Sequence, residues 1–120
     1  MTQVDANQYK SVITPALERA GGTHTWDDIL RGLNEYRFQL WAGERAAAIT
    51  EIVDYPRKRV LNVFLAGGDK GELLEMLEPA RAFGRANGCV AITMSGRQGW
   101  TRVLNKHGWK PAFVVMSEDL

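Results

Sequence analysis

Cysteine is nearly absent from this 120-residue sequence. Cys89 stands alone, so no internal disulfide can form, and a reducing compartment such as the cytoplasm is the expected setting. Histidine is almost as scarce. His24 is isolated in a loop and His107 lies near a helix end, and neither is read as part of a metal-ligand set, so no metal site is expected. Charge of one sign is missing too. The 15 Lys and Arg against 14 Asp and Glu leave a net charge of +1, which excludes a global field drawing the chain to nucleic acid or an anionic membrane. Two basic clusters, Arg57-Lys58-Arg59 and the set Arg97, Arg102, Lys106 and Lys110, are therefore read as solvated faces. No run approaches the roughly 20 apolar residues of a membrane span. The opening Met1-Thr2-Gln3-Val4-Asp5 lacks the charged-then-apolar plan of a signal peptide. There is no Gly-x-Ser-x-Gly turn, no identifiable Cys–His pair, no repeat and no low-complexity tract. What remains is an ordinary globular composition, 45% hydrophobic and 24% charged, in a length that predicts one domain over residues 1–120.

The first third reads as two helices. Val4, Tyr9, Val12, Ile13 and Leu17 form a loose apolar stripe for a helix starting at Asp5 or Ser11 and ending at Gly21-Gly22. Pro15 inside that stripe predicts a break, or a start near Thr14. Thr25 is the N-cap of the second helix, with Asp27 and Asp28 in its first turn and Trp26, Ile29, Leu30 and Leu33 on its buried face.

Strands follow. Residues 38–42, a turn at Gly43-Glu44, residues 45–54, a turn over Tyr55-Pro56-Arg57-Lys58, and residues 59–66 predict an antiparallel meander whose third strand is apolar on both faces. The turn Gly67-Gly68-Asp69-Lys70-Gly71 leads into a helix running to Gly88. Asp69 and Glu72 form a capping-box pattern there, and Pro79 predicts a kink near Glu75. A strand at residues 89–95, a helix at 97–107 and a last strand at 110–117 complete the chain, the 89–95 strand running parallel to the third.

That order of elements from residue 59 onward resembles the core of the GCN5-related N-acetyltransferase (GNAT) superfamily. Two stretches carry the resemblance: Ala66-Gly67-Gly68-Asp69-Lys70-Gly71-Glu72, and the helix from Arg97 that ends in Gly108-Trp109. The resemblance implies an α/β (α+β) fold with a mixed, mostly antiparallel sheet flanked by helices, here preceded by two N-terminal helices. It also implies a coenzyme A pyrophosphate cradled by Gly67, Gly68, Asp69, Lys70 and Gly71, with Lys70 reaching a phosphate. Glu51 is the candidate general base, because it alternates with Ile49 and Val53 on one strand face, where burial would suit it to accept a proton from an amine. The sequence also departs from the family pattern. No Arg or Gln stands three residues before Gly68 or Gly71, Asp69 and Glu72 bring carboxylates to the phosphate turn, and the position of the family's acidic Tyr is Leu104, which has no proton to give.

The chain also looks like small GNAT-like proteins of bacteriophages and prophages. The expected function is therefore that of a phage-type GNAT-fold protein without catalysis, a virion-associated or interaction component in the host cytoplasm or the particle. Trp26, Trp41, Trp100 and Trp109 are expected to contribute a surface for a protein partner. The alternative is a divergent acyl-CoA-dependent N-acyltransferase using acetyl-CoA or coenzyme A as its cofactor. Neither reading calls for a membrane or nucleic acid, and the oligomeric state is left open.

Overall fold

The computed structural model describes residues 5–120, and Val4, counted in the first apolar stripe, lies outside the described residues. A single 3-10 turn at Ala6–Tyr9 leads into helix α1, Lys10–Arg19, and α2 spans Trp26–Asn34. Three antiparallel strands follow: β1 Phe38–Ala42, β2 Ala46–Asp54 and β3 Arg59–Gly68. Helices α3, Lys70–Glu75, and α4, Leu77–Ala86, cross to β4, Ala91–Met94, which lies parallel to β3. Helix α5, Gly99–Asn105, ends the regular structure. The sheet order is β1-β2-β3-β4, so the mixed, mostly antiparallel sheet with two leading helices is as expected.

The two sheet faces bury separate clusters. Helices α1 and α2 cover Phe38, Ala47, Ile49 and Leu65 with Ile13, Leu17, Trp26 and Ile29. The opposite face packs Ala46, Ala48 and Leu73 with Trp41, Ala66, Met76 and Trp100. The run Ala46-Ala47-Ala48 is buried on both faces, and its small side chains let the covering elements approach the sheet closely. Among the described residues, Thr50 is the one buried polar residue of the core. Its hydroxyl accepts from Trp41 Nε1 at 2.9 Å and donates to Gln39 Oε1 at 2.8 Å, so burial leaves nothing unpaired.

The kink expected near Glu75 is present: α3 stops there and α4 begins after Met76, three residues before Pro79, whose ring excludes the carbonyl of Glu75 from the ladder. Three sequence expectations change. Pro15 sits within a continuous α1, because Ile13 and Leu17, one turn apart, are both anchored in the core. Cys89 precedes β4 and is half-buried, where burial pushes its thiol up. The strand expected over residues 110–117 does not form. Phe113, Val114, Val115 and Met116 are exposed, since four consecutive apolar residues need cover on both faces, and β4 is only four residues long.

The four tryptophans also depart from expectation. Trp26 is buried, and Trp41, Trp100 and Trp109 are half-buried. Trp41 meets Phe83 edge-on at 5.7 Å, beneath α4. Gly108, at φ +89, ends the α5 turn, and the Trp109 N–H donates to the Leu104 carbonyl at 3.1 Å.

Close contact between α1 and β3 sets the depth of the space beside them. A Cβ on Gly67 would lie 2.2 Å from the Val12 carbonyl oxygen. Gly67→Ala is therefore expected to lower the unfolding free energy by about 1–3 kcal/mol, read by urea denaturation, against about 1 kcal/mol for removing the Thr25 cap in Thr25→Ala. That cap is a full capping box, in which Asp28 accepts from the Thr25 N–H at 2.8 Å and the Thr25 hydroxyl accepts from the Asp28 N–H. The Thr25 backbone bond, then the Thr25 hydroxyl, hold the Asp28 carboxyl below its ordinary value of 3.8. A carboxyl lowered on folding contributes stability above its unfolded value and loses it as pH falls through the folded one. Asp28→Asn should accordingly flatten the fall of the melting temperature on acidification below about pH 4.

Candidate functional site

An extra residue in β3 organises the site. Ile49 pairs with Leu65, but the next β2 residue, Thr50, pairs with Val63, leaving Phe64 as a bulge. Phe64 and Leu65 consequently both face α1 and α2, where strict alternation would separate them. On the other edge of β3, pairing to β4 stops at Val63↔Met94. Beyond that point β3 continues to Gly68 with no strand beside it, so the backbone of residues 64–68 on that edge has no sheet partner. Asn62, just inside the split, accepts a hydrogen bond from Thr93 Oγ1 at 3.0 Å and so fastens the last paired residues side chain to side chain.

The parted strands open a cleft of about 1230 Å³. Its walls are the outer side of α1, the α1–α2 loop, the free end of β3, the start of α3 and the β4–α5 connection. Four ionisable side chains line it: Arg19, His24, Lys70 and Arg97. None is acidic, and among the described residues none of the three cations is engaged in an ion pair. Such a cleft attracts an anion.

The glycine turn is built differently from the sequence expectation. Gly68 has φ +95, and a Cβ there would lie 2.2 Å from the Arg45 carbonyl oxygen, so the turn admits only glycine. Asp69 caps α3 by accepting from the Glu72 N–H at 3.0 Å. The reciprocal half of the capping box is missing, because the Asp69 N–H donates to the Arg45 carbonyl and the Glu72 carboxylate accepts from the Arg45 N–H at 2.9 Å. Glu72 is thus held under the β1–β2 hairpin, and neither it nor Asp69 lines the cleft. Of the five turn residues, Gly67, Gly68 and Lys70 line it, and Asp69 and Gly71 stand behind.

Glu51 lies opposite Asn62 on β3 and Phe38 on β1, half-buried and on the sheet face expected for it. It is one strand removed from the cleft, whose wall at that level is Asn62. Leu104 is buried beneath α5, facing a small apolar cavity of about 50 Å³ that Trp41, Trp100 and Trp109 also line. His24 is the residue that sequence reasoning passed over. Its ring stands edge-on to Phe64, the bulge residue, at 4.8 Å, and its Nδ1 is 2.8 Å from Thr23 Oγ1. No local signal marks it, since the loop holding it meets β3 only through the packing of α1.

His107 is exposed at the end of α5. Among the described residues, no group of three or more His, Cys, Asp or Glu is placed to hold a metal ion. No helix among them is long and apolar enough to cross a membrane.

No protein-family model matches the sequence, and no curated protein matches it. Solved structures do match the fold. An acetyltransferase from Trypanosoma brucei is similar at a TM-score of 0.59 and 13% identity, covering 92% of this chain and 94% of its own. A tetramutant of the BH1408 protein from Bacillus halodurans gives 0.73 and 12%, covering 99% and 98%. A glucosamine-6-phosphate N-acetyltransferase from Arabidopsis thaliana gives 0.63 and 14%, covering 98% and 95%. At these identities the likeness establishes architecture: the chain has a GNAT-like fold.

Proposed function

We propose that the protein is a divergent acyl-CoA-dependent N-acyltransferase. The observation that carries this reading is the cleft at the split between β3 and β4, whose charged side chains, Arg19, Lys70 and Arg97, are all basic. A diphosphate-bearing thioester suits it on two counts. Its anionic end matches the cations at the mouth of the glycine turn, and its amide-bearing arm can take the unpaired backbone of residues 64–68 as a strand would. Acyl-CoA supplies an activated acyl group, and the protein supplies orientation and proton handling. The carboxylates that the sequence set against a phosphate site, Asp69 and Glu72, are turned to the helix cap and the hairpin. The acetyltransferases among the similar structures support the same reading. With Leu104 buried and aprotic, the departing thiolate takes its proton from water or from another cleft residue.

A non-catalytic interaction component, in a virion or elsewhere, is the second reading. One observation favours it: the exposed run Phe113-Val114-Val115-Met116, an apolar surface of the kind a protein partner covers. The tryptophans first assigned to that role are packed inward, which weakens it.

Isothermal titration with coenzyme A separates the two. Micromolar binding is expected, weakened about 5–10-fold by Lys70→Ala and by Arg97→Ala through the loss of one charge-assisted contact each, and weakened further by added salt. Absence of binding would favour the interaction reading.

A further inference from the structure

We infer that His24 is the catalytic base of this cleft, taking the proton from the acceptor amine as it attacks the thioester. The inference rests on the acyl-CoA reading above and adds to it the residue that touches the reacting atoms. Among the ionisable side chains lining the cleft, Arg19, Lys70 and Arg97 present only donors, and His24 alone has a ring nitrogen that can accept a proton. Its position is specific. The imidazole packs against Phe64, 4.8 Å between ring centroids, at the bulge where β3 leaves β4 and its backbone becomes free. Its orientation is held from two sides, by Phe64 and by Thr23 Oγ1, 2.8 Å from Nδ1. When Nδ1–H donates to that hydroxyl, Nε2 keeps its lone pair, and it has no protein hydrogen-bond partner among the described residues.

Glu51 does not compete for the role, because Asn62 and Phe38 flank it on the neighbouring strands and it does not line the cleft. Arg19 on α1, Lys70 on α3 and Arg97 after β4 line the same cleft as His24, and Asp28 on α2 interacts with it electrostatically.

In the step itself the amine nitrogen attacks the thioester carbonyl carbon. The C–N bond forms, the C–S bond breaks, and the sulfur leaves with the bonding pair as the coenzyme A thiolate. The nitrogen's proton passes to His24 Nε2, and the imidazolium then gives it to the thiolate, directly or through water, leaving amide and free thiol.

The test uses the full chain, coenzyme A titration for binding, and release of free thiol from acetyl-CoA with a panel of primary amines and with water alone as acceptors. His24→Gln is expected to bind coenzyme A within about threefold of the parent and to lose about 100-fold or more in turnover. His107→Gln, at the exposed histidine outside the cleft, should keep both binding and turnover. Coenzyme A binding with turnover unchanged by His24→Gln, or binding with no turnover of any acceptor, would overturn the assignment of His24 alone. Failure of the parent to bind coenzyme A would overturn the acyl-CoA reading beneath it.

Discussion

One residue too many in the central strand is the constraint on which the remainder of the site depends. Because Phe64 has no partner on β2, the pairing of β3 shifts there, and its far edge parts from β4 at the same level. The bulge thereby creates the cleft, exposes a length of backbone within it, and turns an aromatic ring toward the α1–α2 loop. Everything placed around the opening is set by what β3 does: α1 rests on Gly67, the glycine turn is pinned by the Arg45 carbonyl, and the loop carrying His24 packs on Phe64.

The electrostatics of the opening come from contacts made elsewhere. Glu72 lies next to the cationic turn in sequence, and left free it would cancel much of the field of Lys70. Its carboxylate is drawn off by the backbone and guanidinium of Arg45, 27 residues away. The β1–β2 hairpin therefore has a second duty beyond closing the sheet, which is to remove a negative charge from the mouth of the cleft. Asp69 is likewise committed to a helix N–H. Charge balance over the whole chain is close to neutral, and a strongly basic cleft arises only because the fold sorts the carboxylates outward.

What could be read in the sequence was what local chemistry decides. The meander, the Thr25 and Asp69 caps, the glycine stops and the Gly108-Trp109 helix ending all follow from residues within a few positions of one another, and all are present. What could not be read depends on distant partners. The bulge is invisible without the register of β2, Pro15 is tolerated only because Ile13 and Leu17 are held by the sheet, and Glu72 looks like half of a capping box until Arg45 is beside it. The candidate site divides the same way. The glycine stretch was legible as a strand-to-helix turn, and three of its five residues, Gly67, Gly68 and Lys70, line the opening. Glu51 was rightly placed on its face but is a strand away from the opening, and His24 had no pattern to betray it.

The unpaired residue in β3 also sets how the chain can drift over evolutionary time. Losing Phe64 would let Val63 and Leu65 alternate while each kept its partner, Thr50 and Ile49, so the faces on both sides of the deletion would hold. What would go is the ring on which His24 packs and the irregularity at which β3 parts from β4. The core and the opening are therefore separable: a lineage can shed this one residue, keep its hydrophobic interior and lose its cleft.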